Sequence, residues 1–321
     1  IVAVVLVITG YALPAFAGRG LIQDLFFILT MLVLAQFWNL LAGYAGLVSV
    51  GQQAFVGLGG YLLFAFTVLA ELDALVAIVL AGVIAGIFAF PTALVVFRLR
   101  GAYFAIGTWV VAEVFRLFAS QVTALDGGSG TSLPSHIVTS MAESRQMREF
   151  LMYWISLALM TGILGLIVML LRSRYGLALT AIRDNETAAL SSGVDVRLTK
   201  LIVYVITAGA TAMVGALIFL QKLRISPDTA FSINDWTAYV IFITVIGGVG
   251  RLEGPIIGTI IFFILRQTMS DLGALYLLML GLVAIAIMLK APKGLWGYVA
   301  DHYGWQLFPL ARHVVLKRAD K

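Results

Sequence analysis

The chain has 321 residues, of which 61% are hydrophobic and only 12% charged, with a formal net charge of +5. Water-soluble domains carry about 25% charged residues, so a soluble fold is excluded in favour of one that lives in lipid. The absence of cysteine likewise excludes disulfide frameworks, thiol nucleophiles and thiolate metal sites.

The apolar residues come in blocks near 20 long, and about 20 residues at 1.5 Å rise cross the ~30 Å hydrocarbon core. The alternating short strands of a membrane β-barrel are missing, which makes the fold class all-α and polytopic. About ten spans are predicted, over 1–17, 21–42, 46–70, 74–97, 101–121, 150–171, 200–221, 236–250, 255–270 and 274–290. In the first, Ala15-Phe16-Ala17 resembles a signal-peptidase site. No basic stretch precedes the apolar run Ile1 to Leu13, so it reads as an uncleaved span. The fourth is uncharged and broken only by Pro91. The eighth and ninth are short and joined by GGVGRLEGP at Gly247 to Pro255. That joint also reads as a broken or re-entrant segment, since Gly and Pro release backbone groups that lipid cannot satisfy.

Lys and Arg orient the spans. Of the 21 basic residues, 14 fall at Arg98 and Arg100, between Arg172 and Lys200, at Arg251, and from Lys290 onward. The opposite side holds Arg19, Arg145, Arg148, Lys222 and Arg224. Short loops rich in Lys and Arg stay in the cytoplasm, so both termini, the loop 172–199 and the tail 291–321 are predicted cytoplasmic. The loop 122–149, with a flexible turn at Asp126 to Gly130, is predicted outside, and 1–321 forms a single transmembrane domain. Lys317, Arg318 and Lys321 in the tail suit topology and anionic-lipid contact better than nucleic acid.

Catalytic chemistry is not legible. The chain lacks G-x-x-x-x-G-K-[ST] and H-E-x-x-H, and His136, His302 and His313 are scattered over loops and tail. No nucleophile with an adjacent base stands out. No enzyme activity, cofactor or metal is expected.

Between the sixth and seventh spans lies a charged island, SRYGLALTAIRDNETAALSSG, Ser173 to Gly193. Leu177, Ala178, Ala181 and Ile182 supply an apolar stripe at helical spacing. Arg183 ends that helix, and Asp184 or Asn185 can cap a second one, with Glu186 at the positive end of its dipole. Ala188, Ala189 and Leu190 make a small-residue face, and Ser192-Gly193 a stop. Two short helices are predicted across the cytoplasmic face. They form either an interfacial hairpin joining two spans or a rigid knob that docks into a cytoplasmic partner.

Glu113 and Arg116 are three apart on the fifth span and share a helix face. A lone charge near the membrane centre costs roughly 2.5–3.5 kcal/mol, so both should face protein or water, as an internal ion pair or on a translocation path. Tyr103 and Thr108 on the same span, with Asn39, Gln52 and Gln53 around the joint between the second and third spans, complete the candidate path residues. Interhelical hydrogen bonding, worth about 0.6 kcal/mol per pair, is a sufficient alternative for Asn39, Gln52 and Gln53. The glycines at 43, 46, 51, 57, 59 and 60 allow close packing or an unwound segment beside a cavity, and read as packing positions rather than ligand contacts. Arg266, near a span end, can snorkel to the headgroups.

The island sequence through Lys200 resembles the coupling loop of bacterial branched-chain amino acid ABC transporter permeases of the LivM type. NLLAGYAGLVSVGQQAFVGLGGY (Asn39 to Tyr61), LRGAYFAIGTWVVAEVFRL (Leu99 to Leu117) and GGVGRLEGPIIGT (Gly247 to Thr259) also resemble that family, in the expected order. The resemblance covers about 21–300. It implies a type II ABC importer-like permease fold in the bacterial inner membrane, with 122–149 periplasmic. It further implies a second homologous permease (LivH type), two cytoplasmic ATP-binding subunits and a periplasmic substrate-binding protein. On the resemblance, coupling falls to Tyr175, Gly176, Ala181, Arg183, Asp184, Glu186, Ala188, Ala189 and Gly193. Rival readings are a urea or short-chain amide importer with the same motifs, and an ion-coupled secondary transporter using Glu113.

Overall fold

The computed structural model describes residues 10, 18–142, 144–269, 275–291, 293–303 and 308. The span expected at 1–17 lies outside the described residues except for Gly10, and the tail past Tyr303 except for Phe308. In chain order the helices are α1 (Arg19–Asn39), extended by a π turn (Leu40–Tyr44), and α2 (Gln52–Phe64), extended by another (Ala65–Leu69). There follow α3 (Ala74–Val96), α4 (Ala102–Ser120), α5 (Ser135–Met141), α6 (Arg145–Arg172), α7 (Arg174–Asp184), α8 (Glu186–Ser191) and α9 (Val196–Lys222). The chain continues with α10 (Pro227–Ala230), a π turn (Asn234–Ala238), α11 (Tyr239–Gly247), α12 (Glu253–Met269), α13 (Leu275–Lys290) and α14 (Gly294–Tyr303).

Eight helical stretches among the described residues are long and apolar enough to cross a bilayer; α10 and α11 act as one (Pro227–Gly247), as do α13 and α14 (Leu275–Ala300). The expected ten differ at 1–17, outside the described residues, and at α12. That helix has 17 residues, short of the ~20 a full crossing needs. Fold class is all-α and polytopic as expected.

The joint between α1 and α2 shows why the glycines cluster there. After the π turn the chain reverses through Gly46, whose φ of 69° favours glycine. It then runs back along α1 without helical hydrogen bonds of its own. Leu47 N–H donates to Leu41 O at 2.8 Å, Trp38 Nε1–H to Ser49 O at 2.8 Å, and Gln52 Nε2 to Leu34 O at 2.9 Å. Thus α2 starts level with the middle of α1, inside the bundle. Such non-helical backbone is tolerated at membrane depth only where protein surrounds it, and Ala45, Leu47, Ser49 and Gly51 are all buried.

The core forms around α9, which packs along both α2 and α3. Close approach is carried by Gly59 on α2 and Gly215 on α9: a Cβ on Gly59 would strike Ala212 O, and one on Gly215 would strike Val56 O. Without a hydrophobic drive between helices in lipid, such small-residue contacts provide the packing. α1 packs on α6, α11 and α12.

At the far end, Glu149 of α6 is buried, with 2% side-chain exposure. It accepts from Arg19 Nε at 3.2 Å, Gln23 Nε2 at 3.1 Å and Arg145 Nε at 3.1 Å, tying α6 to α1. Hydrogen bonds to charged groups contribute about 1.5–3 kcal/mol. Glu149→Ala should therefore lower the melting midpoint in detergent by roughly 5 °C, read by tryptophan fluorescence; a shift under 1 °C would remove Glu149 from the ledger. On the same side, strand β1 (Thr131–Ser132) pairs antiparallel with β2 (Arg224–Ile225). Two short 3₁₀ turns, Thr123–Leu125 and Gly127–Ser129, flank Asp126 there.

Candidate functional site

The island folds as two short helices. Ser173 caps α7, its hydroxyl accepting Tyr175 N–H. Asn185 separates the helices and caps α8, its Oδ1 accepting Ala188 N–H at 3.0 Å. Glu186 in the first turn of α8 reaches Lys200 Nζ at 2.8 Å. Gly193, at φ 83°, ends the hairpin, and Val194 N–H returns to Ala189 O.

The inward face differs from the expected stripe. Gly176, Leu179 and Ile182 are buried on α7, whereas Leu177 and Ala181 are exposed. Gly176 sits so close to Leu171 that a Cβ there would strike its backbone. Ala189, expected on the outer face of the knob, is instead 2% exposed and packs with Ile182 and Val196 inside the hairpin. Ile182 is inward as expected, but its inward companions are 176 and 179 rather than 177, 178 and 181, because α7 must fit against α6 and α9, not against α8 alone. What remains outward is Tyr175, Leu177, Ala181, Asp184, Glu186, Ala188, Leu190 and Gly193. Three of these, Tyr175, Leu177 and Leu190, are about half exposed although large and apolar.

Arg183 links the hairpin to the bundle. Its Nε donates to Asp184 Oδ1 at 3.0 Å, and its Nη1 lies 3.5 Å from Gly43 O in the π turn that extends α1. The last carbonyls of a helix lack intrahelical partners and form its negative pole, so a guanidinium there is electrostatically favourable. Gly43 in turn abuts the turn between α11 and α12: a Cβ on it would meet Gly250 N at 2.5 Å. Asn39, fully buried, clamps that turn, donating to Arg251 O at 2.9 Å and accepting Gly250 N–H at 2.7 Å. One turn earlier, Gln36 donates to Leu252 O at 2.7 Å.

The remaining path candidates separate. Gln53 is buried and accepts the Thr237 hydroxyl while its own N–H donates to Thr237 Oγ1. Thr108 is buried and accepts Val50 N–H at 3.0 Å, holding the α1–α2 joint against α4. Asn39, Gln53 and Thr108 are thus structural ties within the chain. Gln52 lines a small internal cavity. Tyr103, Glu113 and Arg116 instead lie on an outward face of α4. Tyr103 is 74% exposed, and Arg116 Nε donates to Glu113 Oε1 at 2.9 Å with both side chains partly exposed. Arg116 also donates to Asp228 Oδ1 of α10 at 2.9 Å. The pair therefore exists, but on a surface that apolar Ile106, Val110, Leu117 and Phe118 share.

Sequence reasoning missed Gln36 and Asp228. Gln36 and Asn39 stand three apart on an otherwise apolar span, and that shared face was a usable signal. Asp228, in a stretch between predicted spans, gave none. The guanidinium of Arg266, an exposed residue, lies over the Phe27 ring, 4.0 Å from the centroid.

A family model described as branched-chain amino acid transport system / permease component matches residues 21–289. The chain belongs to this permease family. Among curated relatives, the high-affinity branched-chain amino acid transport system permease protein LivM of Escherichia coli is 27% identical over 314 residues, covering 91% of this permease and 73% of the relative. LivM of Salmonella typhimurium is 26% identical over 312 residues, covering 90% and 73%. The ribose import permease protein RbsC of Bacillus subtilis is 32% identical over 134 residues, 39% of this permease and 41% of the relative. No solved structure matches it significantly. The permease is a multi-pass membrane protein of ABC transporter type, and its matched region holds the α7–α8 hairpin, the α11–α12 turn and the outward face of α4.

Proposed function

We propose that this chain is a non-catalytic permease subunit of an ATP-driven importer that moves branched-chain or related amino acids into the cytoplasm. The observation that carries the reading is the α7–α8 hairpin, which presents apolar Tyr175, Leu177 and Leu190 outward while Arg183 ties it to the end of α1. An exposed apolar patch on a capped, rigid element marks a protein contact. Two ATP-binding subunits would seat on such hairpins, one on each permease, and push the 172–199 loop. The lysine and arginine bias supports a cytoplasmic position for this end and both termini; in a bacterial inner membrane, 122–149 would then face a periplasmic binding protein.

The outward face of α4 supports a partner permease of the LivH type. Charges cost about 2.5–3.5 kcal/mol each against lipid, so Glu113 and Arg116 belong at a protein or water surface. A second permease covering α4 would supply it, placing Tyr103, Glu113 and Arg116 along a path between the two chains.

The test is co-purification in mild detergent from native membranes with Ala181→Arg and Ala188→Arg, both on exposed positions with no packing role. The ATP-binding subunits should be lost from each variant while the partner permease and the melting midpoint stay as in the parent. Full retention of the ATP-binding subunits by both variants would overturn the docking role of the hairpin.

A further inference from the structure

The joint between α1 and α2 borders a small cavity that the transport reading does not use. It is lined by Trp38 of α1, Ser49 and Gln52 of the re-entrant segment and α2, and Tyr204, Thr207 and Thr211 of α9. About 20 Å³ of it is open to the centre of a water molecule, and about 10–15 Å³ on that measure holds one water.

The polar groups around this space are short of partners. Gln52 is 7% exposed, and its Nε2 is engaged with Leu34 O, which leaves its Oε1 buried with no hydrogen-bond partner. Thr211 is 3% exposed and Ser49 6%. Among the described residues, neither hydroxyl donates to any protein group. The Ser49 Oγ only accepts Gly51 N–H at 3.2 Å. Thr207 and Thr211 are four apart on α9, so their hydroxyls share a face. Thr207 donates to Val203 O and keeps acceptor capacity. The same space lies at the N-terminus of α2, whose N-cap residue, Gly51, has no side chain to offer. An unpaired buried amide oxygen costs about 1–3 kcal/mol, and two hydroxyls that donate to no protein group line the same space, so one shared partner would serve all three.

We propose that this cavity is a binding site for a single ordered water inside the membrane span, donating to Gln52 Oε1 and accepting from the hydroxyls of both Ser49 and Thr211. A water has both donors and acceptors, which this mixed set requires. A cation is disfavoured, because the start of α2 is the positive end of a helix dipole. The site makes the break between α1 and α2 a hydrated joint: the water replaces the backbone and side-chain partners that the re-entrant turn gives up. It thereby gives Gln52, Thr211 and Ser49 a common role that neither substrate contact nor interhelical glue assigns to them.

The test is hydroxyl-radical footprinting by water radiolysis, with mass spectrometry, on the whole chain with its partners in lipid nanodiscs. Radicals form at bound water, so burial alone does not protect neighbouring rings. Phe37 and Phe55 line the cavity, whereas Phe64 and Phe219 are fully buried away from it. Phe37 and Phe55 should be oxidised several-fold faster than Phe64 and Phe219. In Thr211→Val, which keeps shape and removes the hydroxyl, and in Gln52→Leu, that excess should disappear. Equal labelling of all four rings in the parent would overturn the site. So would an excess that survives both variants, which would trace the labelling to bulk solvent entering from a membrane face. Thr211→Val, being nearly isosteric, keeps the experiment decisive should Gln52→Leu fail to fold.

Discussion

Replacing Arg183 with alanine is expected to cut ATP-driven uptake about five- to tenfold while the chain stays folded and the ATP-binding subunits stay attached. The side chain is the hairpin's reach into the end of α1: Nε is fixed by Asp184 Oδ1, and Nη1 faces Gly43 O at 3.5 Å. At that length the contact is chiefly electrostatic, a cation at a helix C-terminus, worth about 0.3–1 kcal/mol and up to ~2 when partly buried. Taking 1–1.5 kcal/mol gives the stated range, since about 1.4 kcal/mol is tenfold. The loss should appear in transport per ATP hydrolysed rather than in binding, because the exposed docking positions Ala181 and Ala188 are untouched. Arg183→Lys, which keeps the charge without the planar fork, should fall between. Uptake per ATP equal to the parent's in Arg183→Ala would show that force does not pass through Gly43.

The fold was legible to the extent that lipid dictates it. Apolar blocks near 20 residues marked α3, α6 and α9, because nothing but a helix satisfies the backbone there. The breaks were harder. Composition placed a span at 46–70, but the first part of it, to Gly51, is an extended run along α1 and the helix begins only at Gln52. Re-entrant backbone inside a bundle is as apolar as helix, so hydropathy cannot separate them; only the glycine cluster hinted at it. The α11–α12 joint shows the same limit, since GGVGRLEGP signalled a break without saying what would hold it.

The hairpin was legible in its ends and illegible in its faces. Asn185 as cap and Gly193 as stop follow from side-chain oxygen and positive φ, which are local properties. Which residues look inward depends on how α7 meets α6 and α9, and that is tertiary. Hence Ala189, small and part of an alanine run, read as a docking face and proved to be the contact inside the hairpin. The α4 charges illustrate the converse. Spacing alone paired Glu113 with Arg116, but Asp228, 112 residues from Arg116, could be placed beside them only by the fold.

Asn39→Ala should be among the most destabilising single changes outside the glycine contacts. Asn39 is fully buried, and its amide serves two backbone groups of the α11–α12 turn, Arg251 O and Gly250 N–H. Truncation leaves both without that partner, at about 1–3 kcal/mol each, so roughly 2–6 kcal/mol in all. Asn39→Asp is the sharper probe. It retains the acceptor for Gly250 N–H yet sets a carboxylate oxygen against Arg251 O, so it should recover little of the loss. Both should lower the melting midpoint by about 5 °C or more and loosen the turn that Gly43 rests on. The Asn39 change would then also weaken what Arg183 transmits, and double-mutant analysis should show the two effects are not additive. A melting midpoint within 1 °C of the parent in Asn39→Ala would mean that Gln36, donating to Leu252 O one turn away, holds the turn alone. Additive effects of Asn39→Ala and Arg183→Ala on uptake would separate the clamp from the lever.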